Sequence, residues 1–123
     1  MTPTIPIRVL VVEPHPAVRS GLVALLRRHS DMLVVGEAAD CAEAADRAVE
    51  LQPDVVTIDA RTAARATVAT LVALRSPSRI RIILMCALAR ETAVEALLGG
   101  SETWCWKDAD ESEIAAAIRG SAG

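Results

Sequence analysis

The sequence predicts an α/β fold, a parallel sheet wound with helices on both faces, and three observations carry that prediction. Short apolar runs alternate with segments of helical periodicity five times along the 123 residues. The runs are nearly continuous in Val, Ile and Leu, as strands covered on both faces must be. Three of them end in a charged residue, at Glu13, Asp59 and Lys107. Those are the carboxyl ends of strands, where an open parallel sheet places its ligands and its chemistry.

The elements follow in order. Ile7–Val12 is apolar apart from Arg8 and reads as the first strand. Pro16 sits where a first helical turn tolerates it, and Val18, Leu22, Leu25 and Leu26 share one helical face that runs to His29. Leu33–Glu37 is a short second strand. Asp40 and Glu43 have the spacing of a capping box, followed by a narrow stripe of Cys41, Ala44, Ala45, Ala48 and Val49 that can pack close to a sheet. Pro53 stops that helix and Val55–Ile58 is the third strand. A helix around Val68, Leu71, Val72 and Leu74 ends at Ser76-Pro77. Ile80–Met85 is the fourth strand, Ala89–Leu98 a helix closed by Gly99-Gly100, and Thr103–Lys107 the fifth strand. Asp110 and Glu113 cap a last helix whose inner face is Ile114, Ala117 and Ile118.

A 123-residue chain is one domain, and at 52% hydrophobic it can bury a sizeable core. That core is aliphatic: there is no Phe or Tyr, and there are two Trp. A net charge of −3 provides no general electrostatic footprint for nucleic acid. No stretch is apolar enough to span a bilayer and no signal peptide is visible, so the chain reads as cytoplasmic, with no membrane contact. Cys41, Cys86 and Cys105 form no CxxC pair and read as buried free thiols.

Short connections and right-handed crossovers favour a doubly wound (βα)5 three-layer sandwich. Two strand orders fit. The flavodoxin-like order 2-1-3-4-5 sets strands one and three side by side, brings Glu13 to Asp59, and leaves Lys107 within reach. A buried unpaired carboxylate costs several kcal/mol, so two acids and a lysine at three strand ends read as one polar site.

The segments IRVLVVEPHPAVRSGLVALL, VVGEAADCAEA, LQPDVVTIDA, RIILMCA and WCWKDADESEIAAAI, in that order and with the Glu13–Asp59–Lys107 spacing, resemble the receiver domain of bacterial response regulators. Within that family they are most similar to the NarL/LuxR type, over essentially the whole chain. The resemblance implies that Asp59 is the phospho-acceptor position, that Lys107 contacts the acyl phosphate, and that Trp104 is the aromatic switch position. It implies that Cys86 stands where the family has a Thr or Ser hydroxyl. Glu13 and Pro14 stand where it has two acids that hold Mg²⁺. Residues 1–119 are then the receiver and residues 120–123 the start of a linker. The helix-turn-helix domain that would contact DNA lies outside this chain.

The pattern breaks at the pocket. Mg²⁺ takes near-octahedral oxygen ligands, and Pro14 supplies no side-chain ligand, leaving Glu13 and Asp59 as the metal carboxylates. Mg²⁺ binding is therefore expected to be weak at best, and no other cofactor is implied. A thiol at Cys86 donates poorly to a phosphoryl oxygen; it reads either as a small buried residue or as a redox-sensing thiol. The loop Ala60–Thr67 has neither Pro nor Gly, so the next helix can start early. Arg61 or Arg65 either faces solvent or folds over the pocket as a built-in cation. His15-Pro16 reads as a helix entry. Lys107 is read as an ion-pair partner of Asp59, with a plain surface lysine as the other reading. Trp104 and Trp106 fit either core packing or an edge-strand dimer contact.

The expected function is the signal-input domain of a two-component-type transcriptional regulator. It would be controlled without standard Mg²⁺-dependent Asp phosphorylation, through dimerisation or through a ligand or partner. It is not read as an enzyme. A homodimer is expected, aided by the small side chains of Ala115, Ala116 and Ala117, with a histidine kinase or another regulatory protein as partner. One alternative is a functional receiver phosphorylated slowly at Asp59. The alternative from another class is a flavodoxin-like small-molecule-binding domain, which the acidic, glycine-free loop Glu13–Pro16 opposes.

Overall fold

Five strands and three helices build the part of the chain that the computed structural model describes, residues 5–59, 62, 80–86, 103–107 and 109–120. In chain order they are β1 (Ile7–Val12), α1 (Pro16–Leu26), β2 (Met32–Ala38), α2 (Cys41–Leu51), β3 (Val55–Asp59), β4 (Arg81–Cys86), β5 (Thr103–Trp106) and α3 (Glu111–Arg119). The strands form one parallel sheet in the order β2-β1-β3-β4-β5. That is the flavodoxin-like order expected. The helices expected around Val68–Leu74 and Ala89–Leu98 lie outside the described residues.

Alternation along the strands divides the core into two layers. Leu10, Val12, Val56, Ile58, Ile82 and Leu84 face α2, where Cys41, Ala44 and Ala48 meet them. Val9, Val11, Val55, Ile83, Met85 and Cys105 face α1 and α3, against Val23, Leu26, Ile114, Ala115 and Ile118. Helices on both faces of the sheet make the three-layer sandwich. Most of these side chains are fully buried. Each buried Val, Leu, Ile or Met removes roughly 1.5–3 kcal/mol worth of apolar surface from water, which is why the register of the sheet is so strongly determined.

Helix starts follow the sequence closely. Asp40 accepts the Glu43 N–H at 2.8 Å and Asp110 accepts the Glu113 N–H at 2.9 Å. Each such cap is worth about 1 kcal/mol. Helix ends are closed by arginines from the amino ends of strands. The Arg8 guanidinium donates to the Leu51 carbonyl at 2.7 Å, and the Arg81 guanidinium donates to the Ile118 carbonyl. A cation at a helix carboxyl end also complements the helix dipole. Gly120 finishes α3 in the left-handed region at φ 70°.

Three helix faces differ from the periodicity reading. In α1 the buried residues are Val23 and Leu26, while Val18 is 46% exposed. The helix also stops at Leu26 rather than His29, because the N–H groups of Arg28 and His29 bond to carbonyls three residues back and tighten the turn. In α2 the stripe is narrower than expected: Cys41, Ala44 and Ala48 are buried, and Val49 is 71% exposed. Side chains this small bring the helix so close to the sheet that few positions fit beneath it. In α3 the fully buried alanine is Ala115, with Ala117 only partly covered. Ala115 therefore packs on the sheet and is not available to a second copy of the chain.

α2 ends on Gln52, whose φ of 48° lies in the left-handed region. A side chain there costs roughly 1–2 kcal/mol, and glycine returns part of that as unfolded-state entropy. Gln52→Gly is expected to stabilise the domain by about 0.5–1 kcal/mol, seen as a rise of a few degrees in the thermal midpoint.

Candidate functional site

Strand register decides which side chains meet. Val12 pairs with Ile58, so the next residues, Glu13 and Asp59, leave the sheet side by side at its carboxyl edge. Asp59 is opposite Met85, and Met85 is opposite Cys105, which carries Lys107 to the same edge from beyond β4. Glu13 and Asp59 are 3% and 5% exposed. Between them sits the Lys107 ammonium, with Nζ 2.8 Å from Glu13 Oε2 and 2.5 Å from Asp59 Oδ1.

The remaining carboxylate oxygens are also engaged. Asp59 Oδ2 accepts both the Thr62 N–H and the Thr62 hydroxyl, each at 3.0 Å. Thr62 is helical, and an acceptor three residues before a helical N–H is the geometry of an N-cap. The Thr62 carbonyl in turn accepts the Cys41 thiol at 3.7 Å, which ties the site to the start of α2. Glu13 Oε1 accepts the His15 N–H at 3.3 Å and lies 2.9 Å from His15 Nδ1. His15 also occupies the N-cap position of α1, ahead of Pro16, as expected of a helix entry. Arg19 fixes the backbone: its guanidinium donates to the Glu13 carbonyl at 2.9 Å and to Glu37 Oε1 at 3.2 Å.

These contacts set the charge states. Burial alone would push the Asp59 carboxyl up, but the bonds from Lys107 and Thr62 outweigh it and hold the group below its usual range. Burial alone would lower Lys107; its bonds to Asp59 and Glu13 outweigh that and hold it above the usual lysine value. The Cys41 thiol is pushed up to about 11, by burial first and then by Asp40, so it stays protonated and structural.

The chain matches the family described as the response regulator receiver domain over residues 9–119. It belongs to that family. The receiver is 36% identical over 115 residues to the transcriptional regulatory protein LiaR of Bacillus subtilis, covering 92% of this chain and 54% of that protein. It is 34% identical over 119 residues to the nitrate/nitrite response regulator NarP of Escherichia coli, covering 95% and 55%. The signal receiver domain of NarL from Mycobacterium tuberculosis superposes with a TM-score of 0.81 at 29% identity, covering 96% of this chain and 97% of that one. It is therefore a receiver of the NarL/LuxR type of two-component response regulator. The chain spans about half the length of the curated transcriptional relatives it matches.

Of the site residues read from the sequence, Glu13, Asp59 and Lys107 come together as expected. Pro14 lies beside them without a ligand side chain. Arg61 and Arg65 lie outside the described residues, as do the side chains of Cys86, Trp104 and Trp106. Among the described residues, the cation over the carboxylates is Lys107. The sequence reading missed Thr62, although the Asp-x-x-Thr spacing of a cap was present. It also missed Arg19 and the tie between His15 and Glu13. Cys41 and Cys105 are buried free thiols.

Removing the shared ammonium is the sharpest test of this electrostatic arrangement. Lys107→Met leaves two buried carboxylates facing each other and is expected to cost about 3 kcal/mol at neutral pH in urea unfolding. In the native protein Asp59 has a depressed value. Its contribution is full above the usual 3.8 and is lost as pH falls through the lower folded value. In the variant, burial and repulsion raise a carboxyl instead, so the deficit should shrink on acidification. A pH-independent deficit would contradict the ion-pair account.

Proposed function

We propose that this receiver is a signal-input domain that does not run on standard Mg²⁺-dependent phosphorylation of Asp59. One observation carries the reading: a single lysine ammonium is bonded to both pocket carboxylates, beside a proline where an acid would complete a metal site. Phosphoryl transfer depends on positioning and on neutralising charge at the transferring group, which a bound Mg²⁺ supplies while keeping several waters. Lys107 supplies charge without open coordination positions. The donor set fits Mg²⁺ poorly: Glu13 and Asp59 are bonded to the ammonium, and Pro14 adds no side-chain oxygen.

In this reading Asp59 and Glu13 act as ion-pair anchors. Control comes through dimerisation, a ligand or a partner protein. DNA binding would belong to a further domain of the regulator; one relative, 33% identical, is named a DNA-binding transcriptional activator. None of the helices among the described residues is long and apolar enough to cross a membrane; a cytoplasmic setting is proposed from membership of the receiver family. A histidine kinase remains a partner of the second reading, slow phosphorylation at Asp59. That reading is favoured by an ionised carboxylate beside a lysine at the end of β3.

Incubation with acetyl phosphate and Mg²⁺, followed by intact-mass measurement, separates the two readings. Little or no gain of a phosphoryl mass is expected. Full conversion that Asp59→Ala abolishes would establish the second reading. Magnesium titration followed by Trp fluorescence should show no binding below millimolar concentration, and Pro14→Asp should strengthen whatever binding exists.

A homodimer completes the proposal. β5 lies at the sheet edge and carries Trp104 and Trp106 in its sequence. A stable interface buries on the order of 1,000 Å² or more. Sedimentation at micromolar concentration should show a concentration-dependent dimer; a single monomeric species at every concentration would remove dimerisation from the mechanism.

A further inference from the structure

We infer that Thr62 is a positioning residue that withholds Asp59 from phosphodonors, by fixing the carboxylate in the orientation that Lys107 holds. The inference rests on the reading of the pocket above and adds a second block, independent of the missing metal acid.

The geometry is specific to this turn. Asp59 Oδ2 accepts two bonds from one residue, the Thr62 amide and the Thr62 hydroxyl, both at 3.0 Å. Oδ1 is held at 2.5 Å by Lys107. The terminal torsion of an aspartate is ordinarily broad, so the carboxylate can turn. Here any turn that frees Oδ1 from Lys107 also breaks the bonds from Thr62. Thr62 itself is anchored on its far side, where its carbonyl accepts the Cys41 thiol at 3.7 Å from the start of α2. Cys41 is buried, so this tie is part of the core.

The chemical consequence follows from what the acceptor must do. In reaction with acetyl phosphate, an Asp59 oxygen forms a bond to phosphorus as the bond from phosphorus to acetate breaks, and acetate leaves with the electron pair. The attacking oxygen needs an open lone pair and an in-line approach. Hydrogen bonds to the ionised carboxylate stabilise the ground state and must be loosened on the way to the transition state. The hydroxyl bond is the removable part of this restraint, since the amide belongs to the backbone. The loop Ala60–Thr67 contains neither Pro nor Gly, so nothing in its composition stops a helix from starting early enough to use Asp59 as its cap.

The experiment is run in a Pro14→Asp background, so that the missing acid is restored in every sample and Thr62 is the variable. Thr62→Val and Thr62→Ala remove the hydroxyl, and Thr62→Ser keeps it. Acyl phosphate formation with acetyl phosphate and Mg²⁺ is followed by intact mass. A ¹³C NMR titration of Asp59 runs in parallel. The Val and Ala variants should react at least about tenfold faster than Pro14→Asp alone, the rate equivalent of one charge-assisted hydrogen bond. Their Asp59 carboxyl should titrate at higher pH. The Ser variant should match the Pro14→Asp parent in both measurements, which a merely structural role would not produce. Using both Val and Ala guards against one of them failing to fold. Rates that are equal across all four proteins, including no reaction in any, would overturn the assignment of Thr62. Fast modification of the protein with Pro14 intact would instead overturn the proposed function, while the Thr62 comparison would still be read in its own right.

Discussion

The Lys107 ammonium is the constraint on which the carboxyl edge of this domain depends. Two carboxylates, nearly out of solvent at the ends of neighbouring central strands, cannot both stay ionised without a counter-charge. Lys107 reaches them from the edge strand, across β4, and bonds to both. That one contact ties β1, β3 and β5 together at the end where the sheet would otherwise be splayed by repulsion. It also explains why Asp59 stays ionised although buried, and why Lys107 gives up its proton less readily than a free lysine.

The same contact sets the chemistry that the site can offer. An ammonium and a hydrated divalent cation can both offset two negative charges. Only the cation leaves coordination positions for a third ligand and holds a transferring group in fixed geometry. On the function proposed, Pro14 in place of an acid leaves a pocket of two carboxylates, which the Lys107 ammonium bridges. Thr62 and His15 fill the outer lone pairs, as buried carboxylates require. The pocket is thereby a hydrogen-bonded ion-pair network, with its polar groups satisfied from within the chain.

The scaffold shows a parallel economy at its other end. Strand starts carry Arg8 and Arg81, which close the ends of α2 and α3. The helix starts are closed by Asp40 and Asp110. Farther round, Arg119 of α3 pairs with Asp31 at 2.7 Å, and Arg28 pairs with Glu111 at 3.2 Å, which links the turn between α1 and β2 to α3. Exposed pairs of this kind add little stability singly; the buried faces of α1 and α3 seat the two helices on the sheet.

Legible in the sequence alone were the succession of the five strands and the three described helices, the two aspartate caps, and the three charged strand ends. All of these are written in local periodicity and spacing, which one stretch of chain carries unaided. The sequence also made the missing acid at Pro14 visible, because a proline has no side-chain ligand whatever its surroundings. The helix faces at Val18, Val49 and Ala115 were legible only in part. A helical stripe shows which residues can be buried, while the distance to the sheet decides how wide that stripe is. The pairing of Lys107 with Asp59 was legible in the sequence, whereas the second bond of Lys107, to Glu13, and the choice of Thr62 as a partner of Asp59 came from tertiary structure. The reach of Lys107 depends on register across β4, which is settled by burial of the two core layers rather than by any neighbour in sequence.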